Sequence, residues 1–184
     1  MTSFRRRVLA LSLVPACLAA AHAGNTPTAA PAPPAAPLGC TSAQSHQFDF
    51  WVGRWHVFPA AKPGQQVATS LIEKLYSGCA VRENWMPLSG AEGGSLNSYD
   101  AQAHAWRQTW VDASGSRADF SGAWNGKAMV LEGIWPQPGH PKQRTRMTYT
   151  PRADGSVEQA GESSDDDGRT WQPSFDFIYR REKS

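Results

Sequence analysis

The sequence lacks any long hydrophobic run. Its longest apolar stretch, residues 8–20, is far shorter than the roughly 20 residues that a membrane-spanning helix needs, and no later segment approaches that length. We therefore predict no membrane span.

The apolar stretch has flanks of its own that indicate export. Three arginines at 5–7 precede it, and Ala-His-Ala at 21–23 follows it. These are the parts of a secretory signal peptide, so we predict that residues 1–23 are a signal peptide cleaved after Ala23 and that the protein is periplasmic or secreted. A lipoprotein anchored at Cys17 is the less favoured alternative, because Pro15 interrupts the lipoprotein box before that cysteine.

The mature chain also lacks an excess of charge of either sign. Cleavage after Ala23 removes three arginines and no acidic residue, so the 18 basic residues fall to 15 against 16 acidic ones. A nucleic-acid-binding surface needs a clustered positive charge. We therefore predict that nucleic acid is not a partner.

Cysteine is scarce, and the mature chain retains only Cys40 and Cys79. In an oxidising compartment two such cysteines are expected to form a disulfide, with two buried free thiols as the alternative. A metal site is not predicted, because the sequence has no C-x-x-C and no histidine at ligand spacing from either cysteine. Residues 24–39 are rich in Ala and Pro, a composition that cannot bury a core, and we predict a disordered linker before a folded domain at 40–184.

The folded domain has the turn spacing of an all-β protein. Clusters of turn residues recur about every eight to twelve residues, and Ser45 is predicted to cap a short helical turn at 45–52. The predicted strands are 54–59, 67–76, 79–86, 94–99, 105–112, 117–124, 128–135, 143–150, 156–163 and 171–180. Asn125-Gly126 predicts a two-residue hairpin with a type I′ turn. We expect a single antiparallel up-and-down barrel of about eight to ten strands, which leaves no free edge, with a two-sheet sandwich as the alternative.

Alternation along three strands places polar and aromatic side chains on the same faces. If these faces point inward, they form a pocket for a small molecule; otherwise the same residues are core with satisfied hydrogen bonds. The candidate ligand-binding residues are Glu83, Trp85, Asn97, Tyr99, Trp106, Gln108 and Trp110.

Motifs for catalysis are missing. The sequence has no nucleophile elbow and no histidine pair at metal-binding spacing, and the acids at 165–167 lack the alternating oxygens of a calcium loop. We therefore name no catalytic residue and no metal ligand. The open alternative is a hydrolase that uses Glu83 or Glu132, with Asp112 as a further carboxylate, inside the barrel.

The phrase Phe-Asp-Phe-Trp-Val-Gly-Arg-Trp at 48–55 resembles the opening of a family of small secreted bacterial proteins of unknown function, which begin with F-D-F-W-x-G-x-W. Further phrases that resemble this family lie at 79–85, 95–100, 106–112 and 174–180. Gly53 and Trp55 are also similar to the opening of lipocalins and nitrobindin-like barrels, which implies a calycin-like fold. Nitrobindin-like proteins hold haem with a late histidine, whereas no histidine follows His140 here, so no haem or other cofactor is predicted.

A second resemblance lies near the end of the chain. Ser164, Asp166, Gly168 and Trp171 match the S-x-D-x-G-x-T-W box of sialidase-like propellers. One copy cannot build a propeller, so the resemblance implies a structural turn between the last two strands. Together these features favour an exported, non-enzymatic barrel that binds a small, partly apolar ligand. A hydrolase and a structural or protein-interaction module remain as alternatives, and the sequence does not specify an oligomeric state.

Overall fold

The computed structural model describes residues 39–183. Within them, ten antiparallel strands form one closed barrel. The strands are β1 (Gly53–Pro59), β2 (Ala68–Leu75), β3 (Ala80–Pro87), β4 (Gly93–Asp100), β5 (Ala105–Asp112), β6 (Arg117–Trp124), β7 (Met129–Ile134), β8 (Arg144–Pro151), β9 (Val157–Ser164) and β10 (Gln172–Arg181). The predicted all-β barrel is confirmed, and each predicted strand boundary lies within one residue of the observed one.

The barrel closes through the pairing of its first and last strands. Every strand pairs with its neighbours in sequence, and His56 of β1 lies opposite both Thr69 of β2 and Arg180 of β10. The sandwich alternative is therefore wrong. Because the topology is a simple meander, each hairpin loop lies at one of two barrel ends, with the loops after β1, β3, β5, β7 and β9 at one end and the remaining loops at the other.

The N-terminal segment covers one of these ends, which we call the closed end. It forms two short 3-10 turns, Ala43–His46 and Asp49–Trp51. The predicted helical turn is present but its predicted cap is wrong, because the Oγ of Ser42, not of Ser45, accepts the first hydrogen bond, from the Ser45 amide at 3.2 Å. The Ser45 hydroxyl instead lies 2.7 Å from the Ser42 carbonyl and 3.0 Å from the Cys40 carbonyl, and both carbonyls can accept its hydrogen.

Aromatic side chains fill the closed end. Phe48 and Trp51 are fully buried and stack with ring centroids 5.0 Å apart. Trp55 of β1 donates its indole hydrogen to the Trp51 carbonyl at 2.8 Å, and Trp106 of β5 meets Phe48 edge to face at 5.6 Å. Burial of each such side chain stabilises the fold by roughly 2 to 3 kcal/mol.

A disulfide and the side chain of one lysine hold the N-terminal segment against the barrel. Cys40 and Cys79 form the predicted disulfide, with a Cα–Cα distance of 4.8 Å. Lys74 of β2 forms an ion pair with Asp49 and donates to the Ser45 carbonyl at 2.9 Å. The covering of the closed end is therefore attached at both of its turns.

The hairpin between β6 and β7 differs from its prediction by one residue. The Asn125 amide bonds the Ala128 carbonyl at 3.0 Å, so Gly126 and Lys127 form the centre of the turn. Gly126 alone has a positive φ, of 94°, as in a turn that begins with glycine. The Asn125 side chain accepts from the Ala128 amide at 2.8 Å, which makes Asn125 the residue before the turn and explains the shift.

Several predictions concern residues outside the described part. The predicted signal peptide at 1–23, Cys17 and residues 24–38 of the predicted linker all lie there. None of the helical turns in residues 39–183 is long or apolar enough to cross a membrane.

Candidate functional site

A cavity of about 220 Å³ lies inside the barrel, towards the end opposite the closed end. Twelve side chains line it, and eight of them are aromatic. They are Glu83, Trp85, Gln108, Trp110, Phe120, Trp135, Met147, Tyr149, Gln159, Phe175, Phe177 and Tyr179. An engineered cavity of about 150 Å³ with apolar walls binds benzene, so this cavity has room for one aromatic ring with a short side chain.

Half-buried aromatic side chains form the outer wall of the cavity. Trp110 and Trp135 lie with ring centroids 6.0 Å apart, and Trp85 lies 5.7 Å from Phe177. The indole hydrogens of the first two are used elsewhere: Trp110 donates to Asp112 at 3.0 Å and Trp135 donates to a serine hydroxyl at 3.0 Å. The wall therefore presents mainly carbon to the cavity, which is only partly enclosed.

A bulge in β10 sets the position of one wall residue. The register with β9 shifts between Pro173 and Phe175, and Phe175 then pairs with Gly161. A Cβ on Gly161 would overlap the ring of Phe175, so the absence of a side chain there lets this ring lie against the β9 backbone. Phe175 also stacks on Phe177 at 5.4 Å.

Polar side chains form a closed hydrogen-bonded ring between the cavity and the closed end. Successive members are joined by contacts of 2.7 to 3.4 Å. The members, which we call the polar ring, are Glu83, Tyr179, Gln159, Tyr149, Gln108, Asn97 and Ser95. The ring joins six strands, and Tyr149 and Tyr179 also pack on Trp51 of the closed end at 4.9 and 5.9 Å.

One backbone carbonyl fixes the direction of the hydrogen bonds in the polar ring. The Val81 carbonyl can only accept, so the atom of Asn97 that lies 2.9 Å from it is the amide nitrogen. The Oδ1 of Asn97 therefore accepts, and Gln108 Nε2 donates to it at 2.7 Å. This assignment leaves Gln108 Oε1 as an acceptor with no hydrogen-bond donor among residues 39–183.

Glu83 is the single carboxylate of the cavity lining and is 3% exposed. Its Oε1 accepts from Ser70 at 3.0 Å and lies 3.2 Å from the Tyr179 hydroxyl, and its Oε2 lies 3.4 Å from the Ser95 hydroxyl. No ion pair reaches Glu83 from any residue between 39 and 183. Removal from water raises the pKa of Glu83 from 4.5 to about 7, and the three hydroxyl groups limit the rise.

The two tyrosines of the polar ring are hydrogen-bond donors at all ordinary pH values. Burial, and then the nearby charge of Glu83, raise the pKa of both Tyr149 and Tyr179 above 10. Tyr179 has one proton and two acceptors, and its contact with Gln159 Oε1, at 2.7 Å, is shorter than its contact with Glu83. Glu83 therefore shares this donor with Gln159.

Four of the seven candidate ligand-binding residues line the cavity: Glu83, Trp85, Gln108 and Trp110. Asn97 is fully buried behind the wall, in the polar ring. Tyr99 and Trp106 lie at the closed end, where their ring centroids are 6.2 Å apart and Trp106 donates to Gln47 at 3.2 Å. Alternation assigns these residues to the interior correctly, but it carries no information about position along the barrel axis.

Eight of the twelve residues that line the cavity are not among the candidates predicted from the sequence. The missed residues are Phe120, Trp135, Met147, Tyr149, Gln159, Phe175, Phe177 and Tyr179. The predicted pocket residues come from the inward faces of β3, β4 and β5. The same period of two on β6, β8, β9 and β10 carries the signal for seven of the eight. Trp135 lies just after β7, in a loop, where alternation makes no prediction.

The carboxylates that the hydrolase alternative names do not meet. Glu132 lies on the outer face of β7, where it forms ion pairs with Arg144 and Arg146 at 3.5 and 3.7 Å. Its predicted place inside the barrel is wrong, because its neighbours Met129 and Leu131 take the inward positions of β7. Asp112 lies at the end of β5 and accepts from the Trp110 indole.

The last residue of β9 and the loop that follows it contain the residues of the predicted structural turn. Ser164 donates to Asp166 Oδ1 at 2.8 Å and accepts from the Gly168 amide at 2.9 Å. Asp166 also accepts from the Thr170 amide at 2.9 Å, and the Trp171 indole donates to the Gly168 carbonyl at 3.0 Å. The side chains of Ser164, Asp166 and Trp171 therefore all form hydrogen bonds within the turn.

Neither a metal site nor a related protein supplies a further identification. Across residues 39–183, no three His, Cys, Asp or Glu side chains come close enough to hold a metal ion. No family model matches the sequence, and no curated protein matches it either. The resemblance to the F-D-F-W-x-G-x-W family stays a prediction.

Proposed function

We propose that this protein is a non-enzymatic barrel that binds a small, partly apolar molecule in the cell envelope. The observation that carries the proposal is a cavity with aromatic walls and a polar floor, which opens at one barrel end. Most small-molecule sites are concave and largely apolar, with a few polar groups that orient the ligand. A purely structural module predicts a filled barrel instead.

The cavity wall is held in place before any ligand arrives. Phe120 meets Trp135 edge to face, with ring centroids 6.0 Å apart, and the Trp135 indole donates a hydrogen bond to the Ser116 hydroxyl. Phe175 rests on the β9 backbone at Gly161. Rings that already occupy fixed positions lose little conformational entropy on binding, which favours a preformed pocket.

The arrangement orients the ligand. An apolar body fits between Trp85 and Trp110 at the open end, and a polar group faces Glu83 and Gln108 at the floor. The volume of about 220 Å³ limits the ligand to roughly one ring and a short side chain.

Native mass spectrometry of the protein purified from its own envelope fraction tests the proposal first. We expect an added mass below that of a two-ring compound, lost on denaturation. Calorimetric titration with one-ring compounds such as phenethyl alcohol extends the test to a ligand lost during purification. A bare polypeptide that also binds no member of the panel would contradict the proposal.

A matched pair of variants locates the binding. Phe120→Trp adds volume at the cavity wall, whereas Met86→Trp adds an indole on the outer face of β3, at a position 37% exposed. We expect the first to weaken binding at least about tenfold and the second to leave it unchanged. Equal effects in both variants would place binding outside the cavity.

One observation favours a second candidate, a hydrolase. A carboxyl group with a pKa of about 7, such as Glu83, can act as general acid or base near neutral pH. This candidate predicts turnover of small esters or glycosides that Glu83→Gln abolishes and Glu132→Gln leaves unchanged. Absence of turnover across such a panel, with ligand binding intact, selects the binding barrel.

A further inference from the structure

The floor of the cavity offers acceptors without matching donors. Gln159 uses its oxygen for Tyr179 and its nitrogen for Tyr149, so its amide is fully engaged. Gln108 Oε1 has no donor in the part of the chain that the structure describes, and the Glu83 oxygens receive only hydroxyl groups, one of them shared. A ligand group that donates several hydrogen bonds would complete this floor.

The charges around Glu83 favour a cationic donor. The titratable groups that face it are the hydroxyls of Tyr149 on β8 and Tyr179 on β10, and both are neutral. The groups from β2 and β4 are Ser70 and Ser95, which carry no charge. A buried carboxylate without a cation is costly in free energy, so a positive charge brought by a ligand gains an attraction that the protein does not supply.

The walls suit the same charge. A cation is attracted to the face of an aromatic ring within about 6 Å. Trp85 and Tyr179, whose ring centroids are 6.4 Å apart, both line the cavity beside Glu83. An anion would meet the carboxylate and the negative faces of these rings, so the cavity discriminates against acids.

We propose that the ligand is a protonated primary amine on a compact aromatic or apolar body, with its ammonium group against the Glu83 carboxylate and Gln108 Oε1. This inference rests on the proposed function and specifies its ligand class. The three hydrogens of an ammonium group match the acceptors of the floor, and a ring attached by a short chain reaches the aromatic wall.

Phenethylamine and phenethyl alcohol, which differ only in the polar group, distinguish the two proposals. We measure both by isothermal titration at pH 6 and pH 8. Below pH 7 the Glu83 carboxyl binds a proton that the ammonium must displace, because its pKa is about 7. Amine affinity should therefore rise about tenfold from pH 6 to pH 8, with close to one proton released at pH 6, while alcohol affinity stays constant.

Glu83→Gln tests whether the Glu83 carboxylate binds the ammonium group. The variant should lose the pH dependence and bind the amine at least about tenfold more weakly at pH 8, with alcohol binding preserved; Glu132→Gln, on the outer face, should behave as wild type. If Glu83→Gln does not fold, the pH profile and proton release of the wild-type protein decide. Binding of the alcohol without preference for the amine would overturn the amine inference and keep the binding barrel. Binding of neither compound counts against both.

Discussion

Glu83 should make the folded protein less stable as the pH rises. Its pKa is 4.5 in the unfolded chain and about 7 in the folded one, so between these values the folded state holds a proton that the unfolded state releases. The contribution of Glu83 to the free energy of unfolding therefore falls from about pH 4.5 to pH 7 and is nearly constant above that pH. At 1.36 kcal/mol for each tenfold change in proton affinity, the ionised group costs about 3 kcal/mol at pH 8.

Glu83→Gln removes this ionisation while preserving the shape of the side chain. We expect the variant to gain up to about 3 kcal/mol over wild type at pH 8 and to gain little at pH 5. Urea denaturation of both proteins at the two pH values, with the disulfide intact, measures the difference, and effects of other titrating groups cancel in the comparison. Glu132→Gln, which changes a half-buried carboxylate on the outer face of β7, should show no such pH-dependent gain. A wild-type protein whose stability relative to Glu83→Gln is the same at both pH values would refute the reasoning.

Three further predictions concern the rest of the fold. Replacing Cys40 and Cys79 by serine removes a cross-link between residues 39 positions apart and should lower the free energy of unfolding by about 4 kcal/mol, measured by urea denaturation; an unchanged midpoint would contradict the loop-entropy argument. Gly161→Ala places a methyl group in the aromatic ring that packs on it and should cost about 1 to 3 kcal/mol, whereas Gly64→Ala, in open space, should have little effect on the same measurement. Hydrogen bonds from its own turn lower the pKa of Asp166 from 3.8 to about 2, so the stability that the ionised carboxylate contributes is lost as the pH falls through that range. Asp166→Asn should therefore have a lower melting temperature than wild type at pH 7, and the difference in melting temperature between the two proteins should be smaller at pH 2.

The strand pattern was accessible from the sequence because strands and turns differ in local chemistry. Regular turn clusters set the strand ends, and inward residues such as Val81 and Glu83 keep a period of two. Two predicted details are wrong, the cap of the N-terminal helical turn and the position of the turn between β6 and β7, and both depend on competition between neighbouring hydrogen bonds. Ser42 and Ser45 are equally good caps by residue type, and the side chain of Asn125 displaces the turn by one residue because it bonds the Ala128 amide itself.

The cavity was only partly accessible from the sequence. Alternation separates inward from outward residues, but it does not separate the open half of the barrel from the closed half. Trp106 and Trp110 have the same parity on β5, and one packs on Phe48 while the other lines the cavity. The N-terminal segment decides which inward residues are packed and which line the cavity, because it fills the closed end. It precedes β1, so the alternation along the strands does not reveal where it packs.

The ionised carboxylate of Glu83 lowers the stability of the folded barrel from within the polar ring. Glu83 is more than 95% buried and has no cation among residues 39–183, and a glutamine or an apolar side chain of similar volume would avoid the cost of its charge. That cost, about 3 kcal/mol at pH 8, is comparable to the stabilisation of about 4 kcal/mol from the disulfide at the closed end. Proteins concentrate such local conflicts at functional sites. A carboxylate that opposes folding and faces a cavity is what the proposed ligand site requires, and this supports the binding proposal by an argument separate from the cavity volume.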